Sequence, residues 1–334
     1  MATIYEVSAL AGVSLSSVSR VLNDHEHVSE KTKQKVMAAM NELGYRPNSV
    51  ARSLASNRSN SIGVLVSELH GPFYGEMLSS IEMELRKAGK HAVVTAGHSV
   101  EQSEKDGINF LIDRNCDAII ILIDSLSDEF LIELSKGSTP VVILNRLIPE
   151  IKDKCFYIDN ELGGYLATKY IIEQGHKDLA YISGPLFKQD ANERLNGHKR
   201  ALNEANLKFD EELFYQGDFL TTSGRVGIDH LLKTNKPFTA AVCANDEMAS
   251  GAMKGLRDHK MLIPQDCSVI GFDNVYFANY LHPELTTMNY PINEMAKMSA
   301  QWILKNVYKH TEVFVNNKFT PELIVRESIT KNKT

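Results

Sequence analysis

Between residues 61 and 273 the hydrophobic period of the chain switches repeatedly, and this limits the fold more than any other feature. Short, nearly continuous apolar runs, "SIGVLVS" (61–67), "HAVVTAG" (91–97), "DAIIILI" (117–123) and "PVVILN" (140–145), alternate with stretches of helical spacing such as "FYGEMLSSIEMELRKAGK" (73–90). A run without polar alternation is buried on both faces, the environment of a parallel strand between helix layers. A second series, "DLAYISG" (178–184), "AAVCAN" (240–245) and "CSVIGFD" (267–273), repeats the pattern. Two such series predict two doubly wound α/β subdomains, each with a ligand-favouring edge at the carboxyl ends of its strands. Neither GxGxxG nor GxxxxGK[ST] is present, so no nucleotide site and no cofactor is expected.

The residues after these strands are polar or aromatic where a cleft between two α/β lobes would open. Asn145, Arg194, Asn245 and Asp273 offer amide, guanidinium and carboxylate groups suited to neighbouring hydroxyls. Phe73, Tyr74 and Phe219 could cover the apolar face of a sugar ring. Simpler roles fit the same residues: Asn245 and Asp246 suit the cap of the following helix, and Arg194 suits a solvent-facing helix position. Eleven histidines are scattered without metal-site spacing, so no metal is expected. No Gly-x-Ser-x-Gly nominates a nucleophile. Cys116, Cys155, Cys243 and Cys267 stand far apart, which argues for a reducing compartment and against a disulfide scaffold. The start, "MATIYEVSAL", has no basic segment followed by an apolar one, and no apolar run reaches 18 residues. A soluble cytoplasmic protein with no membrane partner is expected.

The first sixty residues read differently. They hold seven Lys/Arg against five Asp/Glu, while the remainder holds 29 against 37. Thr3 and Glu6 make a capping box; Ile4, Val7, Leu10 and Ala11 form one stripe, closed by Gly12. Ser14 can cap a second helix with Val18, Val21 and Leu22 on one side and Ser16, Arg20 and Asn23 on the other. A third helix follows Ser29, with Val36, Ala39, Met40 and Leu43 inward and Gly44 as terminator. Two short helices joined at "AGVS" form a helix-turn-helix pattern, whose second helix enters the major groove. There Arg20 could pair with a guanine edge and Ser16 permit close approach. A plain three-helix bundle with Arg20 in solvent fits the same pattern.

"AGVSLSSVSRVLN" (11–23), "ELGYRPN" (42–48) and "ARSLA" (51–55) together resemble the DNA-binding region of the LacI/GalR family. "LNRLIP" (144–149), "GPLFKQDANERLNGHKRAL" (184–202), "NDEMASGAMK" (245–254) and "IGFDN" (270–274) are similar to the family's periplasmic-binding-protein-like core. "LNR", the Cys155-to-Asp159 spacing and "NDEMASGAM" point to the galactose and β-glucoside repressor branch. The resemblance implies an all-α helix-turn-helix headpiece (residues 1–46), a hinge helix and linker (47–59), and two core subdomains (60–157 with 290–319, and 158–289 with 320–330). It implies DNA contacts from Thr3, Tyr5, Ser14, Leu15, Ser16, Ser19, Arg20, Asn23 and His27. From the hinge it adds Asn48, Ala51 and Leu54, with Ala51 against a partner hinge and Leu54 wedged into the minor groove. It also implies an effector cleft lined by Phe73, Tyr74, Asn145, Arg194, Phe219, Asn245 and Asp273. The Leu15-Ser16 pair differs from those of well-known members, so the operator need not be theirs. Lys188 stands where purine-binding members carry arginine, against a purine effector.

The expected function is therefore a sugar-responsive repressor that binds a palindromic operator in double-stranded DNA as a homodimer. No leucine heptad follows "PELIVRES", in keeping with a dimer. A transport-type sugar-binding protein lacks a use for residues 1–58. A sugar-metabolising enzyme would need a base or metal beyond Asp273.

Overall fold

Thr3 and Glu6 start the first helix as the sequence requires. The Thr3 amide donates to Glu6 Oε2 at 2.7 Å, and Thr3 Oγ1 accepts from the Glu6 amide. Helix α1 (Ile4–Ala11) ends at Gly12, whose φ of 61° satisfies the left-handed cap. Helix α2 (Leu15–Leu22) and α3 (Glu30–Leu43) follow, the latter capped by Ser29 and closed by Gly44 at φ 60°. Val7, Ala11, Val18, Val21, Val36, Ala39 and Met40 bury against one another as the core of this unit. In this computed structural model the described residues are 2–22, 27–45, 58–310 and 315–332, in two compact units divided after Asn60. Asn23, Asn48, Ala51 and Leu54, and with them the expected hinge helix, lie outside the described residues.

The second unit begins with β1 (Ser61–Val66), α4 (Pro72–Lys87), β2 (His91–Ala96), α5 (Glu101–Asp113), β3 (Ala118–Leu122), α6 (Asp128–Leu134), β4 (Val141–Leu144) and β5 (Cys155–Ile158). It continues with α7 (Asn160–Glu173), β6 (Leu179–Ser183), α8 (Gln189–Glu204), β7 (Phe214–Gln216), α9 (Thr221–Lys233), β8 (Ala240–Cys243), α10 (Asp246–Asp258), β9 (Ser268–Asp273) and β10 (Thr286–Asn289). Helix α11 (Ile292–Asn306), β11 (Lys318–Phe319) and β12 (Glu322–Ile324) complete it. The strands make two six-stranded sheets, ordered β11-β5-β4-β3-β1-β2 and β12-β10-β9-β8-β6-β7. All pairings are parallel except β10 with β12. The chain crosses between the sheets after β5, after β10 and after β11; α11 returns to the first sheet and packs on α4.

The apolar runs explain the doubly covered sheets. In β1, Ile62, Val64 and Val66 bury on one face while Leu65 buries on the other. In β3, Ala118, Ile120 and Leu122 oppose Ile119 and Ile121 in the same way. Each such Val, Ile or Leu contributes about 1.5–3 kcal/mol of burial. One strand departs from expectation: β2 is an edge strand paired only with β1, and Val94 is 40% exposed. The strands at 214–216, 318–319 and 322–324 hold only two or three residues each, too few to print a run, and 286–289 ("TTMN") is largely polar; 155–158 ("CFYI") is an apolar run as long as β4 that the sequence reading passed over.

Candidate functional site

In the first unit, α2 turns Leu15, Ser16, Ser19 and Arg20 outward and Val18 and Val21 inward. Ser14 precedes it; its Oγ accepts from the Ser17 amide at 3.2 Å and shares hydrogen bonds with Ser16 Oγ and Ser17 Oγ. Tyr5, on α1, is 69% exposed, and His27 is also exposed. Thr3 spends its hydroxyl on the capping box. The helix thus presents a small-residue face with one arginine and no acid.

In the second unit, Phe73, Tyr74, Asn145, Arg194, Phe219, Asn245 and Asp273 line one cavity of about 700 Å³ at the carboxyl ends of both sheets, part of it open solvent. A cleft at the carboxyl ends of such sheets is where small molecules bind. Sequence reading missed Glu68, His70, Asp124, Asp190, Asp218 and Glu247, which line the same cavity, as does Lys188, which the resemblance had singled out only against a purine effector. Asp124 lies just beyond β3 and could have been found by extending the strand-end rule to that strand. Asp190 sits in the first turn of α8, and Asp218 follows β7, a strand of three residues that leaves no apolar run in the sequence. The lining carries six carboxylates against Lys188 and Arg194.

Arg194 is the centre of a polar chain. It is 3% exposed, which overturns its reading as a surface arginine. Its Nε donates to Asn160 Oδ1 at 3.0 Å and its Nη1 to the Ala244 carbonyl at 2.6 Å; Asp273 Oδ1 lies 3.5 Å from Nη1. The guanidinium also covers the Phe272 ring at 3.7 Å. Asn160 donates to Asn145 Oδ1 at 3.1 Å, and Asn145 donates to Asp190 Oδ2 at 3.0 Å. These bonds join side chains from both sheets. Burial pushes the Asp273 carboxyl well above its ordinary range, and the Arg194 charge opposes that shift. Burial likewise raises the Tyr74 hydroxyl, with Asp124 and Asp190 adding to the effect.

Three lining residues hold positive φ: Asn145 at 59°, Phe219 at 71° and Asp273 at 111°. Such strain persists only where surrounding contacts enforce it, and it clusters at ligand sites. At Phe219 the enforcing group is Asn245, whose Nδ2 donates to the Phe219 carbonyl at 2.9 Å. Asn245 also caps α10, accepting from the Met248 amide at 2.9 Å. Its amide is therefore largely committed to shaping the cleft. Asp246, expected as a cap, instead accepts from Thr287 Oγ1 at 2.5 Å and the Val275 amide at 2.9 Å, pinning β10 and the loop after β9.

Burial pushes the Asp246 carboxyl up to about 7, against the pull of its hydrogen bonds. A raised acid is stabilising below its unfolded pKa of about 4, and that stability is lost as pH rises toward 7. Asp246→Asn mimics the protonated form. Its stability relative to wild type should rise by at least about 1.4 kcal/mol between pH 4 and pH 8, read by denaturant melts across that range. A pH-independent difference would contradict the buried titration. Tyr290 makes a second test. It is 2% exposed, and its hydroxyl has no hydrogen-bond partner among the described residues. Tyr290→Phe should leave stability unchanged or raise it by about 1 kcal/mol, since no bond is lost and one desolvated hydroxyl is removed. A clear loss in thermal melts would show that the hydroxyl is satisfied.

Among the described residues no helix is long and apolar enough to cross a membrane. Residues 3–48 match the model of bacterial regulatory proteins of the lacI family, and residues 168–329 match that of the periplasmic binding protein-like domain. The chain is 36% identical to the HTH-type transcriptional regulator GalR of Salmonella typhimurium, covering 98% of this chain and 96% of that one. It is also 36% identical to the HTH-type transcriptional repressor PurR of Vibrio vulnificus, over 99% of both. Its structure is similar to that of the lac repressor dimer bound to operator and the anti-inducer ONPF, with a TM-score of 0.87, 29% identity, and 98% and 99% of the two chains covered. Full-length identity at this level, joined to the helix-turn-helix and the two-sheet core, shows that the chain belongs to the lacI family of bacterial regulatory proteins.

Proposed function

We propose that this regulator binds a palindromic operator as a cytoplasmic homodimer and changes its DNA affinity when a small uncharged carbohydrate occupies the cleft. The observation that carries the reading is the cleft's polar chain, Asp190–Asn145–Asn160–Arg194–Asp273. It supplies fixed donors and acceptors from both sheets, beside the aromatic Phe73, Tyr74 and Phe219. Six carboxylates against two cations disfavour an anionic ligand such as a sugar phosphate. Residues 1–46 form the DNA-binding part, and 47–59 link it to the core. A ligand that prefers one arrangement of the sheets shifts the population, and with it the spacing of the two DNA-binding parts of the dimer.

A gel-shift on a palindromic site, with and without sugars, tests the whole reading; DNA binding indifferent to every sugar would refute the effector half. Arg20 reads a base edge in this scheme. Arg20→Ala should weaken operator binding by about 1–3 kcal/mol and leave sugar binding unchanged. Equal losses on operator and random DNA would reduce Arg20 to a phosphate contact.

A further inference from the structure

Asp124 and Lys188 face each other across the cleft. Asp124 follows β3 of the first sheet, and Lys188 precedes α8 of the second. Lys188 Nζ lies 2.7 Å from Asp124 Oδ2, and the two side chains are 11% and 14% exposed. Ser67 Oγ donates to the same Oδ2 at 2.7 Å and Ser99 Oγ at 3.2 Å.

The carboxylate is held rigidly from behind. Glu104 on α5 is fully buried and accepts the amides of Asp124, Ser125 and Leu126 at 3.0–3.2 Å. Three donors therefore crowd Oδ2, while Oδ1 has no hydrogen-bond partner among the described residues. Lys188 carries three donors and uses one of them on Asp124. Both side chains line the cleft described above. An unspent acceptor and an unspent donor thus stand side by side, in a fixed geometry, where a ligand would lie.

We propose that the Asp124–Lys188 pair reads a vicinal diol of the ligand, Asp124 Oδ1 accepting from one hydroxyl and Lys188 Nζ donating to its neighbour. A hydroxyl both donates and accepts, so a diol satisfies both partners without breaking the pair. An anion would meet Asp124 and a cation would meet Lys188, so the pair selects against either charge. This rests on the carbohydrate reading above and names the chemical group that the reading lacks.

Titration calorimetry of the full chain with D-galactose, D-glucose and cellobiose separates the two claims. Binding of none of them to the wild type overturns the carbohydrate reading and the diol contact with it. For a sugar that binds, Asp124→Asn and Lys188→Met should each lower affinity at least about 10-fold, the scale of one lost charge-assisted hydrogen bond. The charge swap Asp124→Lys with Lys188→Asp re-forms the ion pair with donor and acceptor exchanged. It should regain much of the ligand-free melting temperature lost in the single variants yet remain at least about 10-fold weaker for the sugar. Single variants that melt lower but bind the sugar normally would make the pair a strut between the sheets and overturn the proposal, as would full recovery of affinity in the swap.

Discussion

Arg194→Met is expected to destabilise the unit from residue 61 onward by about 3–5 kcal/mol at pH 7, because it leaves a buried carboxylate without its cation. Asp273 is 9% exposed and 3.5 Å from Arg194 Nη1; Asp190 lies 4.0 Å from Nη2. The substitution also orphans the Ala244 carbonyl and Asn160 Oδ1. Methionine recovers part of the packing on Phe272, so the loss is chiefly electrostatic. The penalty has a ceiling, since burial already pushes the Asp273 carboxyl up against the Arg194 charge, and without that charge it takes up a proton instead of remaining ionised. Protonation from an unfolded pKa near 4 costs about 4 kcal/mol at pH 7 and only about 1.4 at pH 5. Urea melts of the variant should therefore show a smaller deficit at pH 5 than at pH 7. Adding Asp273→Asn should recover part of the loss at pH 7, because no bare charge remains at residue 273, while the Ala244 carbonyl and Asn160 Oδ1 stay without their donor. Neither variant should respond to an effector. A deficit of the same size at both pH values would show that the bonds to Ala244 and Asn160, and not the charge, dominate.

The two sheets were legible because seven strands leave short, nearly continuous apolar runs between helices. The short strands were not, because Thr286–Asn289 and Lys318–Phe319 are defined by their partners rather than by their own pattern. The same division runs through the cleft. Residues at the carboxyl ends of the apolar runs, such as Asn145 and Asp273, could be picked out by position. Arg194 could be named but its environment could not: "NERLNGH" reads as a polar helix surface, and only α7 and β9 packed over it make it interior. Asn245 illustrates the converse. A helix cap and a cleft residue looked like rival roles, yet one amide caps α10 and holds the Phe219 backbone in place. Asp124 and Lys188, 64 residues apart in "LIDSL" and "LFKQD", carry no local mark of their pairing.

Gly164→Leu should have an effect at least as large, about 4 kcal/mol or more, through packing alone. Helices α7 and α8 lie against each other with glycines facing backbone in both directions. A Cβ on Gly164 would collide with the Arg194 carbonyl oxygen, and one on Gly197 with the Glu161 carbonyl oxygen. Helix propensity alone would favour alanine over glycine at either site by about 1 kcal/mol. The obstructing atoms are main chain, so no side-chain rotation relieves the contact, and the helices must separate. Separation would move α8 as a body, and with it Asp190 and Arg194. Gly164→Ala should therefore cost about 1–3 kcal/mol and weaken effector binding although the residue touches no ligand. Gly197→Ala should do the same. Once one methyl has parted the helices, the second finds room already made. The double variant should then cost less than the sum of the singles by about 0.5–3 kcal/mol in a thermodynamic cycle. Strict additivity would mean that each site relaxes locally, and that the spacing of α7 and α8 does not set the position of Arg194.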